Sequence, residues 1–507
     1  MQLETLLTAL PQVPLHMYHS DRLDSKREVS TLAYDSRKVT AGGLFIAVPG
    51  THTDGRAYLG EAATRGALAA LGESITDSNT LPLPYIEVTN VRTALAALSC
   101  AYYGYPAREL CTIGITGTDG KTTTGNLITA IFEVAGKPSG LMTTANFKLR
   151  GQEWENTTRQ STLEALEIQQ LLRQFVDKGA THAVVEATSH GLELQRVYGC
   201  DFDLGVVTNI TQEHLDFHKT IGAYRRAKAR LFEMLDPERV KKVASHPTAV
   251  LNRDDSSYEI LKPYCRVPIL DYGIDQAASV RAVDLQLRAS GTAFRVIFPD
   301  GEQAIETSLV GRFNVSNCLA AIAAAYSQGI APEAIAQGLA TVRGVTGRME
   351  RIDEGQSFAV IVDYAHTADS LAKVLSILRP LTTGKLMVVF GSAGERDTQK
   401  RPIMGQIAAQ MADFFVITDE DPREEDRMSI LRDIAAGAEG IGRQEGQDFW
   451  CIADRVEAIA AAFARARPGD TVLLAGKGHE QSIIIGREKL PWDERRVARE
   501  QLKNYIQ

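Results

Sequence analysis

CTIGITGTDGKTTT, Cys111 to Thr124, is the stretch from which the fold of this chain is read. An apolar run ends in a Gly-rich turn, and an amphipathic run, NLITAIFEVAG, follows. That order reads as strand, loop and helix. Gly117 and Gly120 let backbone N–H groups approach phosphate oxygens, and the helix that follows turns its positive end toward them. The spacing is not the strict G-x-x-x-x-G-K-[ST], because Ile115 stands where the first Gly would be. The physics of the loop still holds. Thr116, Gly117, Thr118, Asp119, Gly120, Lys121, Thr122 and Thr123 are expected to bind a nucleotide, with Lys121 on the β/γ-phosphates and the Thr122 hydroxyl on Mg²⁺.

Working outward, apolar strands are expected at THAVVEAT and FDLGVVTNI, then a helix at AYRRAKARLFEML and Ala-rich helices from VSNCLAAIAAAYSQG to about residue 341. Strands alternating with helices imply a parallel sheet. Before this zone, short β-type runs (STLAYDSR, GLFIAVPG, PYIEVTN) mix with runs read as helical (EAATRGALAAL, RTALAALSCAYYG). After it, from Gly347, strands and helices alternate through SFAVIVDYAH, KLMVVFGSAG, DFFVITDED, DFWCIAD and DTVLLAGKG, as in a doubly wound sheet. The expected architecture is α/β with three domains: 1–107, a small α/β domain; 108–346, a central P-loop ATPase-like parallel sheet; and 347–507, a Rossmann-like domain.

Length and composition agree with this reading. At about 150 residues per domain, 507 residues suit three domains. A net charge of −8 argues against broad nucleic-acid binding. Cys100, Cys111, Cys200, Cys265, Cys318 and Cys451 are scattered without a C-x-x-C pair, so they read as reduced thiols of a cytoplasmic protein. The N-terminal residues show neither a signal-peptide pattern nor a membrane span.

Acidic and imidazole groups narrow the chemistry. Glu186 ends the strand THAVVEAT, and His214 lies just past the next strand. Both are expected on the sheet edge that carries the phosphate loop, where a carboxylate suits a hard cation. Taken singly, each residue reads as a surface carboxylate and a capping or core histidine; their shared edge favours a site.

Eleven words then occur in order: YDSRKVTAGGLFIAVPGTHTDG, TGTDGKTTT, VEATSHGLELQRV, TNITQEHLDFH, YRRAKARLF, LVGRFNVSNCLAAIAA, GRMERID, VDYAHTADSL, FGSAGERDTQKRPIMG, DEDPREED and AGKGHE. Through them the whole chain resembles the Mur ligase family, the ATP-dependent amino-acid ligases of peptidoglycan precursor synthesis. The resemblance implies that ATP phosphorylates the γ-carboxylate of D-Glu in UDP-N-acetylmuramoyl-L-Ala-D-Glu. The amine of a diamino acid then attacks the acyl phosphate. It implies Mg²⁺ held by Thr122 and Glu186, and a second metal held with the help of His214. Lys228 matches the family lysine that is carbamylated, which converts a repelling ammonium into an anionic ligand; by itself it reads as a helix-surface lysine. Lys121, Glu186, His214 and Lys228 become the catalytic set. Asn314 and Asn317 match positions near the ATP base. Arg348, Asp363, Tyr364 and His366 match the junction that closes onto ATP.

For the uridine substrate, Ser36, Thr51, His52 and Thr53 match first-domain contacts, and Ser161, Thr162, Thr188 and Arg196 match central-domain ones. The chain departs from the family pattern at Ser161 (Thr), Leu163 (Pro), Asp119 (Asn) and Ser392-Ala393 (Cys-Gly), and Thr157-Thr158 offers a competing frame for the threonine pair. Arg396, Asp421, Arg423, Gly476 and Glu480 match positions around the diamino acid. Glu420-Asp421-Pro422-Arg423 replaces Asp-Asn-Pro-Arg. Arg423 suits a carboxylate and so favours meso-diaminopimelate, with Glu480 available to a distal ammonium. Asp421 in place of Asn leaves lysine or ornithine open, unless it pairs with Arg423. Expected partners are the uridine dipeptide, ATP and the diamino acid, with a monomeric chain, no nucleic acid and no membrane insertion. Folylpolyglutamate-type and cyanophycin-type ligases share the loop but not DSRKVTAGGLFIAV or GKGHE. A regulatory protein that has lost catalysis would lack metal ligands that are present here. A nucleic-acid-stimulated P-loop ATPase conflicts with the charge.

Overall fold

Strand Cys111–Thr116 is buried along its whole length, because parallel strands lie on both sides of it. One neighbour, His182–Glu186, pairs from His182↔Cys111 to Glu186↔Ile115; the other, Leu204–Val207, pairs from Leu204↔Ile113 to Val207↔Thr116. Strands buried on both faces need continuous apolar runs, and these segments have them. The structure is a computed structural model and describes residues 1–506 except 51, 52, 76, 157, 159, 212, 214, 289 and 290. It divides into two units: Met1–Val283, Val296–Gln303 and Ser316–Leu339; and Asp284–Arg295, Ala304–Val315 and Ala340–Gln507.

The first unit holds two sheets. The smaller has five strands in the order His16–Tyr18, Tyr85–Glu87, Ala69–Gly72, Leu44–Ala47 and Leu32–Ala33, parallel except at the first pair. Here one expectation fails. EAATRGALAAL is not one helix. Helix Leu59–Thr64 stops before Gly66, whose φ of +85° suits a residue without Cβ, and the chain re-enters as strand Ala69–Gly72. That strand is buried between two parallel neighbours, and its ladder hydrogen bonds outweigh the helix preference of alanine.

In the larger sheet the strands run Gln152–Glu155, Asn146–Leu149, Ser139–Met142, His182–Glu186, Cys111–Thr116, Leu204–Val207, Thr248–Asn252 and Ile269–Gly273. From Ser139 onward all are parallel; the first two form an antiparallel hairpin that the sequence reading did not anticipate. Nor did it anticipate the strands Val280–Arg288, Gly291–Phe298 and Gly301–Thr307. The helices Lys121–Val134 and Ile221–Glu233 fall where expected.

In the second unit six strands are ordered Glu350–Ile352, Ala359–Asp363, Thr471–Ala475, Leu386–Phe390, Phe414–Ile417 and Phe449–Cys451. All pairs are parallel but the first. Five of the six were read from the sequence. Leu371, Leu375, Val388, Phe390, Met404 and Ile417 contribute to the core on one face, and Val360, Met387, Val389, Phe463 and Val472 to that on the other. Arg455 and Glu494 form a buried bidentate pair, and Arg455 also donates to the carbonyls of Asp419 (2.9 Å) and Ala475 (2.8 Å).

His182 begins its strand with its ring 5.0 Å from that of Phe132. Burial, helped by the Lys137 charge, lowers its pKa to about 4 from 6.5. The unfolded chain therefore binds this proton first as pH falls, and the imidazole's contribution to stability, whole above 6.5, is lost toward pH 4. Urea unfolding of His182→Gln is expected to show a shallower pH dependence than wild type between pH 6.5 and 4, by at most about 1.4 kcal/mol per pH unit. Parallel slopes in the two proteins would rule this out.

Candidate active site

The register of the three central strands brings Thr116, Glu186 and Val207 to one edge, the carboxyl end where open α/β sheets place ligands. The loop after Thr116 is pinned from the neighbouring strand. Thr118 N–H donates to Asn209 O (2.8 Å) and Asp119 N–H to Asn209 Oδ1 (3.0 Å), while Thr208 Oγ1 donates to Asp119 O (2.6 Å). Both glycines are required. Gly117 has φ +150° and Gly120 φ +84°, and a Cβ at either would strike Thr208 Oγ1 or Asn317 Oδ1. Gly120 caps helix Lys121–Val134. Lys121 Nζ donates to the carbonyls of Gly117 (3.0 Å) and Thr118 (2.8 Å), within its own loop. Thr123 is buried in the first turn of the helix.

Thr122 and Glu186 do meet: the hydroxyl donates to Glu186 Oε2 at 2.9 Å. Thr144, which the sequence reading missed, gives the same carboxylate its N–H (3.0 Å) and its hydroxyl (2.9 Å). Thr122 and Glu186 are buried and offer oxygens of the kind a hard cation binds, so the residues fit Mg²⁺. His214 lies outside the described residues, as do Thr51 and His52. Among the described residues no group of three or more His, Cys, Asp or Glu forms a metal cluster.

Lys228 is not on the helix surface. It is buried, and its Nζ donates to Gly117 O at 2.7 Å with the Tyr224 ring 4.5 Å away. Burial lowers its pKa well below the ordinary value, and the Lys121 charge adds to this against the attraction of Glu213, Glu186 and Asp119. Tyr224 sits one helical turn earlier, with its hydroxyl 3.0 Å from Thr118 Oγ1. That i, i+4 spacing was a signal in the sequence for its part in the site.

A second cluster joins the back of Glu186. Thr162 Oγ1 donates to Glu186 O (2.8 Å), lies 2.9 Å from Thr188 Oγ1 and accepts Thr188 N–H at 2.9 Å. Arg196 donates to Thr162 O (3.1 Å) and pairs with Glu164 (2.7 Å), a partner the sequence reading missed. Ser161 is half-buried beside Thr162. These expected substrate residues are thus together. Ser36 stands apart in the smaller sheet's layer, donating to Glu61 Oε2 at 2.7 Å; Thr53 is exposed, and its carbonyl accepts Gly50 N–H.

In the second unit Asn314 donates to Val310 O (3.0 Å). Asp363 accepts the N–H groups of Met349 (2.8 Å) and Ala365 (2.9 Å), and Arg348 lies over the Tyr364 ring at 5.0 Å. The His366 ring is 4.6 Å from that of Tyr364, and burial lowers its pKa. Of the alternatives open for Asp421, a pair with Arg423 does not form. Asp421 Oδ1 accepts Lys477 Nζ and Ile484 N–H, both at 2.9 Å, and Lys477 Nζ also donates to Glu480 Oε2 at 2.5 Å. The reason is backbone geometry. Arg423 has φ +56°, is bridged to Ile484 O and Gly486 N–H, and sends its guanidinium to 4.0 Å from Glu395. Gly476 has φ +105°, Glu420 lies beside it, and Arg396 is exposed on the loop that follows Leu386–Phe390.

Three stretches of the chain match known family descriptions. Residues 28–103 match "Mur ligase family, catalytic domain", 115–325 "Mur ligase middle domain" and 347–478 "Mur ligase, glutamate ligase domain". The UDP-N-acetylmuramoyl-L-alanyl-D-glutamate--2,6-diaminopimelate ligase of Geobacillus kaustophilus (strain HTA426) is 42% identical over 507 residues, 99% of each chain. The chain belongs to the Mur ligase family. A UDP-N-acetylmuramyl-tripeptide synthetase of Roseiflexus sp. (strain RS-1) is 48% identical over 481 residues, 94% of each chain. A solved UDP-N-acetylmuramoyl-L-alanyl-D-glutamate--2,6-diaminopimelate ligase superposes with TM-score 0.68 at 31% identity, covering 100% of both. In this Mur ligase, Gly120→Val is expected to weaken Mg·ATP binding about tenfold or more, ~1.4 kcal/mol, with the far-UV spectrum unchanged. Calorimetric affinity equal to wild type would show that the loop tolerates a Cβ.

Proposed function

We propose that this chain is an ATP-dependent ligase that adds meso-diaminopimelate to UDP-N-acetylmuramoyl-L-Ala-D-Glu, forming the UDP-N-acetylmuramoyl-tripeptide of peptidoglycan synthesis. The observation that carries this is the 42% identity over the full length of a ligase of that name. The D-Glu γ-carboxylate attacks the γ-phosphorus of ATP, ADP leaves, and an acyl phosphate forms. The free amine of the diamino acid then attacks the carbonyl carbon, and the tetrahedral intermediate expels phosphate.

The residue roles are our own reading. Lys121 exchanges its two loop carbonyls for phosphate oxygens and neutralises charge on the transferring group. Thr122 and Glu186 would hold Mg²⁺, which when bound offsets the negative charge of the phosphates; His214 would help to hold a second ion. Lys228, favoured as a neutral amine, is nucleophilic enough to add to the carbon of CO₂, its N–H proton leaving to solvent, so that an anionic carbamate faces the site. Thr162, Thr188 and Arg196 bind the uridine substrate, as do Ser36 and the loop containing Thr51, His52 and Thr53. Asn314, Asn317, Arg348, Asp363, Tyr364 and His366 serve ATP. Arg396, Asp421, Arg423, Gly476 and Glu480 receive the diamino acid, the Arg423 guanidinium taking a carboxylate. We place the chain in the cytoplasm, which suits six free cysteines, and take it as a monomer.

Phosphate release from ATP with the uridine dipeptide is expected to require meso-diaminopimelate; no dipeptide-dependent release with any diamino acid would retract the assignment. Lys228→Ala is expected to lose activity by about 10²-fold or more and to regain part of it with a short-chain carboxylic acid. Turnover like wild type in that variant would remove the carbamate role. Arg423→Ala is expected to depress use of diaminopimelate far more than use of lysine, whereas equal losses would make Arg423 structural.

A further inference from the structure

Three neighbouring strands of the second unit's sheet, Leu386–Phe390, Phe414–Ile417 and Thr471–Ala475, end in loops that carry charge. Asp421 and Arg423 follow the second of them, and Lys477 and Glu480 the third. Lys477 is fully buried, and its ammonium lies between the Asp421 and Glu480 carboxylates at 2.9 and 2.5 Å. An ammonium taken wholly out of water needs such partners. The Asp421 oxygen that takes Lys477 also takes Ile484 N–H. Arg423 stands aside, its Nε buried without a hydrogen-bond partner and its nearest carboxylate, Glu395, 4.0 Å away.

Glu395 and the exposed Arg396 on the first loop offset one another in charge, so without Lys477 the Asp421 and Glu480 carboxylates would stand against the Arg423 guanidinium alone, a surplus of negative charge that suits a lone ammonium, the end group of lysine or ornithine. With Lys477 the surplus vanishes, leaving a guanidinium on one side and a half-neutralised carboxylate pair on the other. That separation suits an end group with both a carboxylate and an ammonium. Glu420, buried beside Gly476, restores only part of the surplus, because burial raises its carboxyl to about 7 and leaves it only partly ionised near neutrality.

We propose that Lys477 is the specificity-determining residue of this site: by binding Asp421 and Glu480 together it allows a chain with Asp421 to accept a diamino acid whose far end is zwitterionic. This rests on the proposed function, since it presumes that a diamino acid is the nucleophile. Lys477 acts through the two carboxylates and is a positioning residue.

The test is the ratio of kcat/KM for meso-diaminopimelate to that for L-lysine, read by phosphate release in the full-length protein, with KM for ATP as control. Lys477→Met is expected to lower the ratio about tenfold or more, with KM for ATP unchanged. Lys477→Met/Asp421→Asn is expected to recover most of it, because one negative charge leaves with the positive one. Asp421→Asn alone removes the charge without unpairing Lys477 from Glu480 and is expected to raise the ratio about threefold or more. It reads the same charge balance if Lys477→Met fails to fold. An unchanged ratio in these variants, or a wild type that prefers lysine, would overturn the role of Lys477 while leaving the ligase reaction in place. No release with either amino acid would instead overturn the proposed function and this inference with it.

Discussion

Parallel pairing of Cys111–Thr116 with His182–Glu186 on one side and Leu204–Val207 on the other is the constraint on which the first unit's site depends. Because the side-chain period of a strand is two, a slip of one residue would turn Glu186 to the wrong face and separate it from Thr122. The register is held by continuous burial: Ile113, Ile115, Val184, Val206 and their neighbours have no exposed alternative. Once it is set, the loop glycines follow. Gly117 is pressed against Thr208 and Gly120 against Asn317, so the loop is clamped from two elements that come from distant parts of the chain. Rigidity of this kind aims backbone N–H groups before any ligand arrives, which reduces the ordering cost of binding.

Much of this was legible in the sequence. The strands of the second unit were readable because each is a short apolar run bounded by polar turns, and the phosphate loop because glycine and lysine at that spacing between strand and helix have few other uses. Thr162, Thr188 and Arg196, more than thirty residues apart at the extremes, come together through hydrogen bonds. Two kinds of feature were not legible. Ala69–Gly72 has the composition of a helix and becomes a strand only because two parallel neighbours enclose it, a fact of tertiary context. The partners of charged groups were equally hidden. Thr144 reaches Glu186, and Lys477 reaches Asp421, through space rather than through spacing, and the left-handed backbone that turns Arg423 away from Asp421 has no mark in the sequence.

Buried lysines separate structural from chemical use. Lys241 is buried on Asp203 at 2.7 Å, with Thr112 Oγ1 and Leu110 O completing its three donors, and it ties the start of the central strand to the loop before its neighbour. Lys477 has two carboxylates. In each case the cost of removing an ammonium from water is offset by a formal negative charge. Lys228 differs. Among the described residues no carboxylate lies within ion-pair distance of it; its amine has the Gly117 carbonyl and an aromatic face, and Lys121 donates to that same carbonyl.

A lysine held in this way is under pressure to be neutral, and the pressure has a direct relief. Losing the proton removes the desolvation cost, and converting the amine to an anion would remove the repulsion from Lys121 as well and replace it with attraction. The same substitution of charge would draw a cation toward the oxygens of Thr122 and Glu186 rather than repel it. Protonated, Lys228 would be one positive charge more than its packing accommodates, which is why the neutral amine is favoured there. Evolution could have satisfied the position with a glutamate from the start. A lysine instead leaves the charge at this position dependent on the protonation of one nitrogen, which Gly117 O and the Tyr224 ring hold beside the loop.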